Sequence, residues 1–419
     1  MLDLRNIIFK WLSKEDKFTE QCNSIKSTNN TKTSIEACHA PLYHWIDALK
    51  GIAMLLVIMI HSGAGKELSG ILKVIGSKGN CGVVLFFLIS GFLIYKSLYS
   101  FFSKTEHSAL SSLLWIKQKI IRFAPLFYLA TICGVLMGGH KYWLGSKIGI
   151  STGNITAHFL FVHGLYPRYC DSIVGVEWYI GVLVIFICIA PLLFKYFNSF
   201  SKSLFLFSIS LGMAYFVNKY LNTLTPFENK EDMRVYKSFV NSFGFFENFP
   251  TLCLGVVLYY ANECLKEIKI NRILVSYTLL FLSAFFIYGN LHNLNKLFGI
   301  NWHTLWALPF ALLIISQILH TNTIICNKLF QIIGVYSWPI YLFHFCALKL
   351  YNRYNFIKLE NPIYSWGLKF FVVLFISLLI SFILVKFFEK PVIDLLSRKK
   401  TIKQLFNCIK HRFSFDKDV

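Results

Sequence analysis

Residues 48–63 read ALKGIAMLLVIMIHSG, an apolar run that opens beside a lysine and closes on a histidine. Lys50 and His61 are eleven positions apart. At about 100° per residue this is about three helical turns, so both side chains project from one face. At 1.5 Å per residue they sit about 16 Å apart along the axis, about half of a hydrocarbon core of about 30 Å. An intramembrane polar stripe of this kind faces a cavity or a partner rather than lipid. The stretch therefore predicts a membrane-spanning helix with a polar lining.

The rest of the chain agrees with that class. Of its 419 residues 55% are hydrophobic and only 15% charged, and the mean hydropathy is +0.54, which excludes an ordinary soluble domain. The 42 Phe and 21 Tyr suit extensive lipid interfaces. A β-barrel would show ten-residue alternating strands instead. The net charge of +21 raises nucleic acid as a partner. The basic residues, however, sit in short loops and tails between apolar spans, where topology selection and anionic lipid contact place them. No nucleic-acid partner is expected. The eleven cysteines form no CxxC pair and no metal-like spacing, so no metal is expected.

The expected fold is all-α: a polytopic transmembrane helical bundle with about ten spans and both termini cytoplasmic. The spans fall near 43–63, 82–101, 119–138, 176–195, 203–218, 246–262, 273–290, 303–320, 329–348 and 366–388. The segment near 155–166 is open between a re-entrant and an interfacial reading. Residues 1–40 form a cytoplasmic tail with an interfacial helix in its first twenty residues, 41–395 the transmembrane domain, and 396–419 a basic cytoplasmic tail. The first forty residues hold no 7–15-residue apolar core, so no cleavable signal peptide is read there. Most of the 42 basic residues lie on segments that this topology puts inside. Lys50 then lies toward the cytoplasm and His61 toward the outer face.

Several blocks in order carry a resemblance. WIDALKGIAMLLVIMIH (45–61) holds a basic residue, ten intervening residues and a histidine. GVVLFFLISGFLI (82–94), KQKIIRFAPLFYLA (117–130), HFLFVHGLYP (158–167), VEWYIGVLVIFICIAP (176–191), YSWPIYLFHF (336–345) and FEKPVIDL (388–395) follow it. Together they resemble the acyltransferase-3 family of integral membrane acyltransferases, over about residues 43–395. The resemblance implies a membrane O-acyltransferase, most often an O-acetyltransferase. It would take an acyl group from cytoplasmic acyl-CoA, chiefly acetyl-CoA, to a hydroxyl of a cell-surface polysaccharide or its lipid-linked precursor. It would reside in the cytoplasmic (inner) membrane among membrane lipids. Three departures stand out. Lys50 occupies a position that is commonly arginine, and a lysine lacks the planar fork used for bidentate phosphate contact. Val84 stands where Asp or Gln is frequent. Leu183 and Val184 stand where the fourth helix often carries glutamate. Asp171 and Glu177, just before that helix, could supply a carboxylate.

The candidate residues follow from chemistry and resemblance together. His61, costly inside a membrane, is the expected catalytic residue, as general base on the acceptor hydroxyl or as acyl carrier. Lys50 could hold donor phosphates or pair with Asp47 one turn earlier. Arg122 could hold the donor or anchor the third span. His344 reaches the outer half and could line the acceptor side with His61 or bond to Tyr341 or a carbonyl. Trp178 and Tyr179 could stack on a sugar or form an interfacial aromatic belt. Ser90 beside Gly91 reads as a close-packing point rather than a nucleophile, and Glu389 as a helix-terminal structural residue. Cys81 and Cys170, both outside in this topology, are open between a disulfide and two free thiols. A membrane transporter of an acyl group, lipid or glycan without chemistry is the alternative, although no inverted repeat is visible.

Overall fold

The computed structural model describes residues 44–64, 68–139, 150–291, 302–354, 359–393 and 395. The tails 1–40 and 396–419, with the interfacial helix expected in the first, lie outside the described residues. Regular structure within them is helical: α1 (His44–His61), α2 (Gly70–Ser77), α3 (Cys81–Phe102), α4 (Ala109–Leu136), α5 (Thr152–Phe159), α6 (Trp178–Tyr196) and α7 (Phe200–Thr223), then α8 (Lys230–Ser238), α9 (Phe245–Leu265), α10 (Arg272–Leu291), α11 (Trp302–Leu319), α12 (Lys328–Val335), α13 (Ser337–Arg353) and α14 (Pro362–Leu384). Local sequence fixes several ends. Ser108 and Ser111 form a reciprocal capping box at the start of α4, and the Ser199 and Asn361 side chains accept backbone N–H groups at the starts of α7 and α14.

Among the described residues eight helical segments are long and apolar enough to cross a membrane, and α12 with α13 makes a ninth if the bent pair is one span. That pair is where the expected straight span at 329–348 gives way. Its two halves meet at 78°. Pro339 cannot donate to the Val335 carbonyl and its ring conflicts with it, so a continuous helix fails there. The new helix takes up the pattern when Ile340 N–H donates to the Tyr336 carbonyl at 3.0 Å.

The sixth expected span, α9, is 21 residues long, and every residue from Glu247 to Asn262 is buried. It packs against α3, α7 and α11. A helix enclosed by protein need not be apolar all round, and α9 uses that freedom. Glu247 accepts from Asn218 of α7 at 2.7 Å and meets His303 Nδ1 of α11 at 3.0 Å, a polar clasp across three helices. Glycines permit two close crossings. A Cβ on Gly91 or Gly255 would strike the facing backbone of α9 or α3, and one on Gly51 or Gly334 the facing backbone of α12 or α1. The close approach falls at Gly91, while its neighbour Ser90, read as the packing point, lines a cavity and shares a hydrogen bond with Tyr179.

The segment 150–177 folds inward beside α4. Tyr128 Oη donates to the Phe159 carbonyl at 2.9 Å, and the Phe161 ring sits 5.0 Å from Phe127 and 6.0 Å from Phe123. Phe161 has a φ of 58°, strained for a bulky residue and held by that aromatic packing. Cys81 and Cys170 are buried free thiols, so no disulfide pins this segment.

Candidate active site

Lys50 of α1 and Arg122 of α4 converge on one cavity of about 440 Å³, within the usual range for small-molecule sites. Lys390 and Glu389, beyond α14, complete its charged lining. The α12–α13 break forms another wall, from Gly334 to Pro339. The bend that a straight span would have lacked therefore helps to create the cavity. Lys50 Nζ also lies 3.1 Å from Asp47 Oδ1, so the ion pair and the cavity lining coexist: Asp47 steadies the ammonium at the cavity edge.

The cavity is also lined by Phe86, Tyr179 and Tyr341. Tyr179 and Ser90 share a hydrogen bond of 2.7 Å, and Tyr341 Oη donates to the Val176 carbonyl at 2.9 Å. One helical turn beyond Tyr341 is His344, fully buried, whose ring is 5.2 Å from that of His61. His344 Nδ1 lies 2.8 Å from the Tyr341 carbonyl. An imidazole beside a carbonyl carries its proton on that nitrogen. Phe345 packs on His61 at 4.7 Å.

The six residues singled out in the sequence thus fall into three places. Lys50, Arg122 and Tyr179 share the cavity. His61 and His344 form a pair beside Tyr341, and neither is among the residues lining the cavity. Trp178 stands apart, packed on Phe87 at 5.9 Å and Phe243 at 5.0 Å. Neither Trp178 nor Tyr179 is at a surface belt; both are buried, Trp178 against Phe87 and Phe243 and Tyr179 among Phe86, Phe87, Ser90 and Tyr341. Among the described residues no group of three His, Cys, Asp or Glu is arranged to hold a metal ion.

That segment contains a buried polar knot. Glu177 is fully buried and accepts backbone N–H groups from Ile173 at 2.6 Å, Val174 at 3.1 Å, Gly175 at 2.5 Å and Val176 at 3.0 Å. Its Oε1 is 3.3 Å from His158 Nε2. Burial alone would raise its pKa, but the hydrogen bond and charge of His158, with the backbone donors, bring it down to about 2. His163, 3.0 Å from the Glu177 carbonyl through Nε2, is lowered to about 4 by burial and by neighbouring His158. Asp171 is raised well above its ordinary value by burial and by the charge on Glu177. Glu177 is therefore committed to holding the chain before α6, and through the Val176 carbonyl it also sets Tyr341. Nothing in the local sequence pairs His158 or His163 with Glu177. The available signal was two imidazoles in an otherwise apolar run.

A multi-pass helical bundle with a cation-lined cavity ending near two imidazoles has the build of a membrane-embedded group-transfer protein. The chain belongs to the acyltransferase-3 family: the family's acyltransferase-domain model matches residues 43–386. It is similar to the O-acetyltransferase OatA of Staphylococcus aureus strains MRSA252, NCTC 8325 and COL. Identity is 25% over 418 aligned residues, covering 92% of this chain and 62% of each relative. The chain thus spans less than two thirds of the length of these curated relatives.

Proposed function

We propose that this protein is a membrane O-acyltransferase, most simply an O-acetyltransferase, using cytoplasmic acyl-CoA as donor and a hydroxyl of a cell-surface polysaccharide or its lipid-linked precursor as acceptor. The observation that carries this is the convergence of Lys50 and Arg122 on one cavity with the His61–His344 pair next to Tyr341, one of its lining residues. α9 counts as the tenth span, both termini are cytoplasmic, and the host membrane is the inner one. The donor's phosphates sit near Lys50, Arg122 and Lys390, where cations offset their charge.

His61 then takes the proton of the acceptor hydroxyl as that oxygen attacks the thioester carbonyl. The carbon–sulfur bond breaks, the proton taken by His61 passes to the departing sulfur, and coenzyme A leaves as the thiol with His61 neutral again. His344 orients His61. Tyr179, which lines the donor cavity, acts on the donor side rather than by stacking on a sugar.

Mass analysis of surface glycans from cells carrying the wild type or His61→Ala tests the proposal. Wild-type cells should show one acetyl increment per modified unit. The variant, inserted at normal abundance, should lose it by about 10²-fold or more, the lower bound of general-base catalysis. A variant that retains half the modification removes His61 from the chemistry.

A further inference from the structure

Three mutually packed rings line the cavity, and one of them, Tyr341, also borders the imidazole pair. Phe86, Tyr179 and Tyr341 come from α3, α6 and α13, and each is buried. Their centroids are mutually 5.4 Å (Tyr179–Tyr341), 6.0 Å (Phe86–Tyr341) and 6.2 Å (Phe86–Tyr179) apart. All three line the cavity, and the Tyr341 ring lies 6.1 Å from that of His344, which is not among the lining residues. Lys50, at the cavity, and His61 are separated by about 16 Å along α1. Tyr341 joins the cavity to the imidazole pair, so in the acyl-CoA reading a donor anchored at Lys50 brings its acyl end past these rings toward His61.

Two of the rings are tethered. Tyr179 is held by Ser90 and Tyr341 by the Val176 carbonyl, and moving either ring breaks a buried hydrogen bond. Phe86 has no polar group to tether it. Because the rings ride on three helices, a small relative shift opens a slot between them, and two fixed sides limit its width.

We propose that Phe86, Tyr179 and Tyr341 form the aperture that sets acyl length, admitting an acetyl group and rejecting longer chains. The proposal rests on the acyl-CoA reading above. In a close-fitting apolar passage each added methylene changes discrimination by about 10-fold or more. Truncating Phe86 widens the slot without touching a hydrogen bond.

The test uses the purified full-length chain in lipid nanodiscs, with surface glycan extracted from the host as acceptor. It measures coenzyme A released from acetyl-, propionyl- and butyryl-CoA. Phe86→Ala should raise the butyryl-to-acetyl rate ratio about 10-fold or more, Phe86→Leu should raise it less, and Phe86→Trp should lower the propionyl-to-acetyl ratio. If the alanine variant does not fold, the leucine and tryptophan variants decide. Ratios unchanged within threefold in folded variants, beside an active wild type, overturn the aperture alone. A wild type that releases no coenzyme A from any donor overturns the acyl-CoA reading, and the aperture with it.

Discussion

Glu177→Gln should loosen the segment before α6 by an amount that can be worked from its contacts. The carboxylate accepts two backbone N–H groups on each oxygen: Ile173 and Val174 on Oε1, Gly175 and Val176 on Oε2. A glutamine keeps one oxygen and puts an amide nitrogen in place of the other. Whichever way the amide turns, two buried N–H donors face another donor and lose their acceptor. Each such loss costs about 1–3 kcal/mol, so the segment should be about 2–6 kcal/mol easier to open. At 1.4 kcal/mol per decade, the population of the open form rises between about 30-fold and about 10⁴-fold. Cys170 reports it, being a buried free thiol seven residues before Glu177. The assay is the rate of maleimide labelling of Cys170 at pH 7.5, read by peptide mass mapping, under conditions where reclosing outruns labelling. A rate within threefold of wild type would refute the account of Glu177 as the anchor of this segment.

Other expectations follow from the same contacts. Gly334→Ala should force α12 away from the Asp47 backbone of α1, displacing the Asp47–Lys50 pair; the expected result is lower thermal stability and an increased KM for acyl-CoA, and normal values for both would contradict the crossing. Lys50→Ala should increase that KM by about 10-fold, in the range of a charged hydrogen bond of 1.5–3 kcal/mol, while Lys50→Arg restores it; an unchanged KM in the alanine variant would leave Lys50 only its pairing with Asp47. His163, lowered to about 4 by burial and by His158, stays neutral in the fold while the unfolded chain takes up a proton near pH 6.5. Wild type should therefore lose stability relative to His163→Gln as pH falls from 6.5 to 4, and melting curves of the two that run parallel over pH 7 to 5 would count against it. Asp171 has the opposite sign: its carboxyl is raised by burial and by Glu177, so the fold holds a proton that the unfolded chain releases. Asp171→Asn, which mimics the protonated form, should gain stability over wild type as pH rises above 3.8, and a lower melting temperature for the variant at pH 7.5 would reject that environment.

Much of this protein was legible in the chain itself. Apolar runs of about twenty residues, cut by basic loops, determine a helical membrane protein because lipid tolerates no unpaired backbone. The spacing of Lys50 and His61 on α1 put both on one polar face, and the ordered blocks from 45 to 395 carried the family. Those signals are local: they depend on hydropathy, period and nearest neighbours.

Tertiary structure alone decided which of these residues meet. Tyr179, read from sequence as a sugar-stacking or membrane-boundary aromatic, is buried against Ser90, Phe86, Phe87 and Tyr341, which α3 and α13 bring to it. The span at 329–348 breaks at Tyr336, where Pro339 and the close crossing of Gly334 on α1 act together to open the cavity wall. His158 and Glu177 are nineteen residues apart, and Tyr341 reaches Val176 across 165 positions. No helical period links such residues. Their pairing follows from burial, since a carboxylate or a phenol removed from water must find donors or acceptors wherever the packed chain provides them.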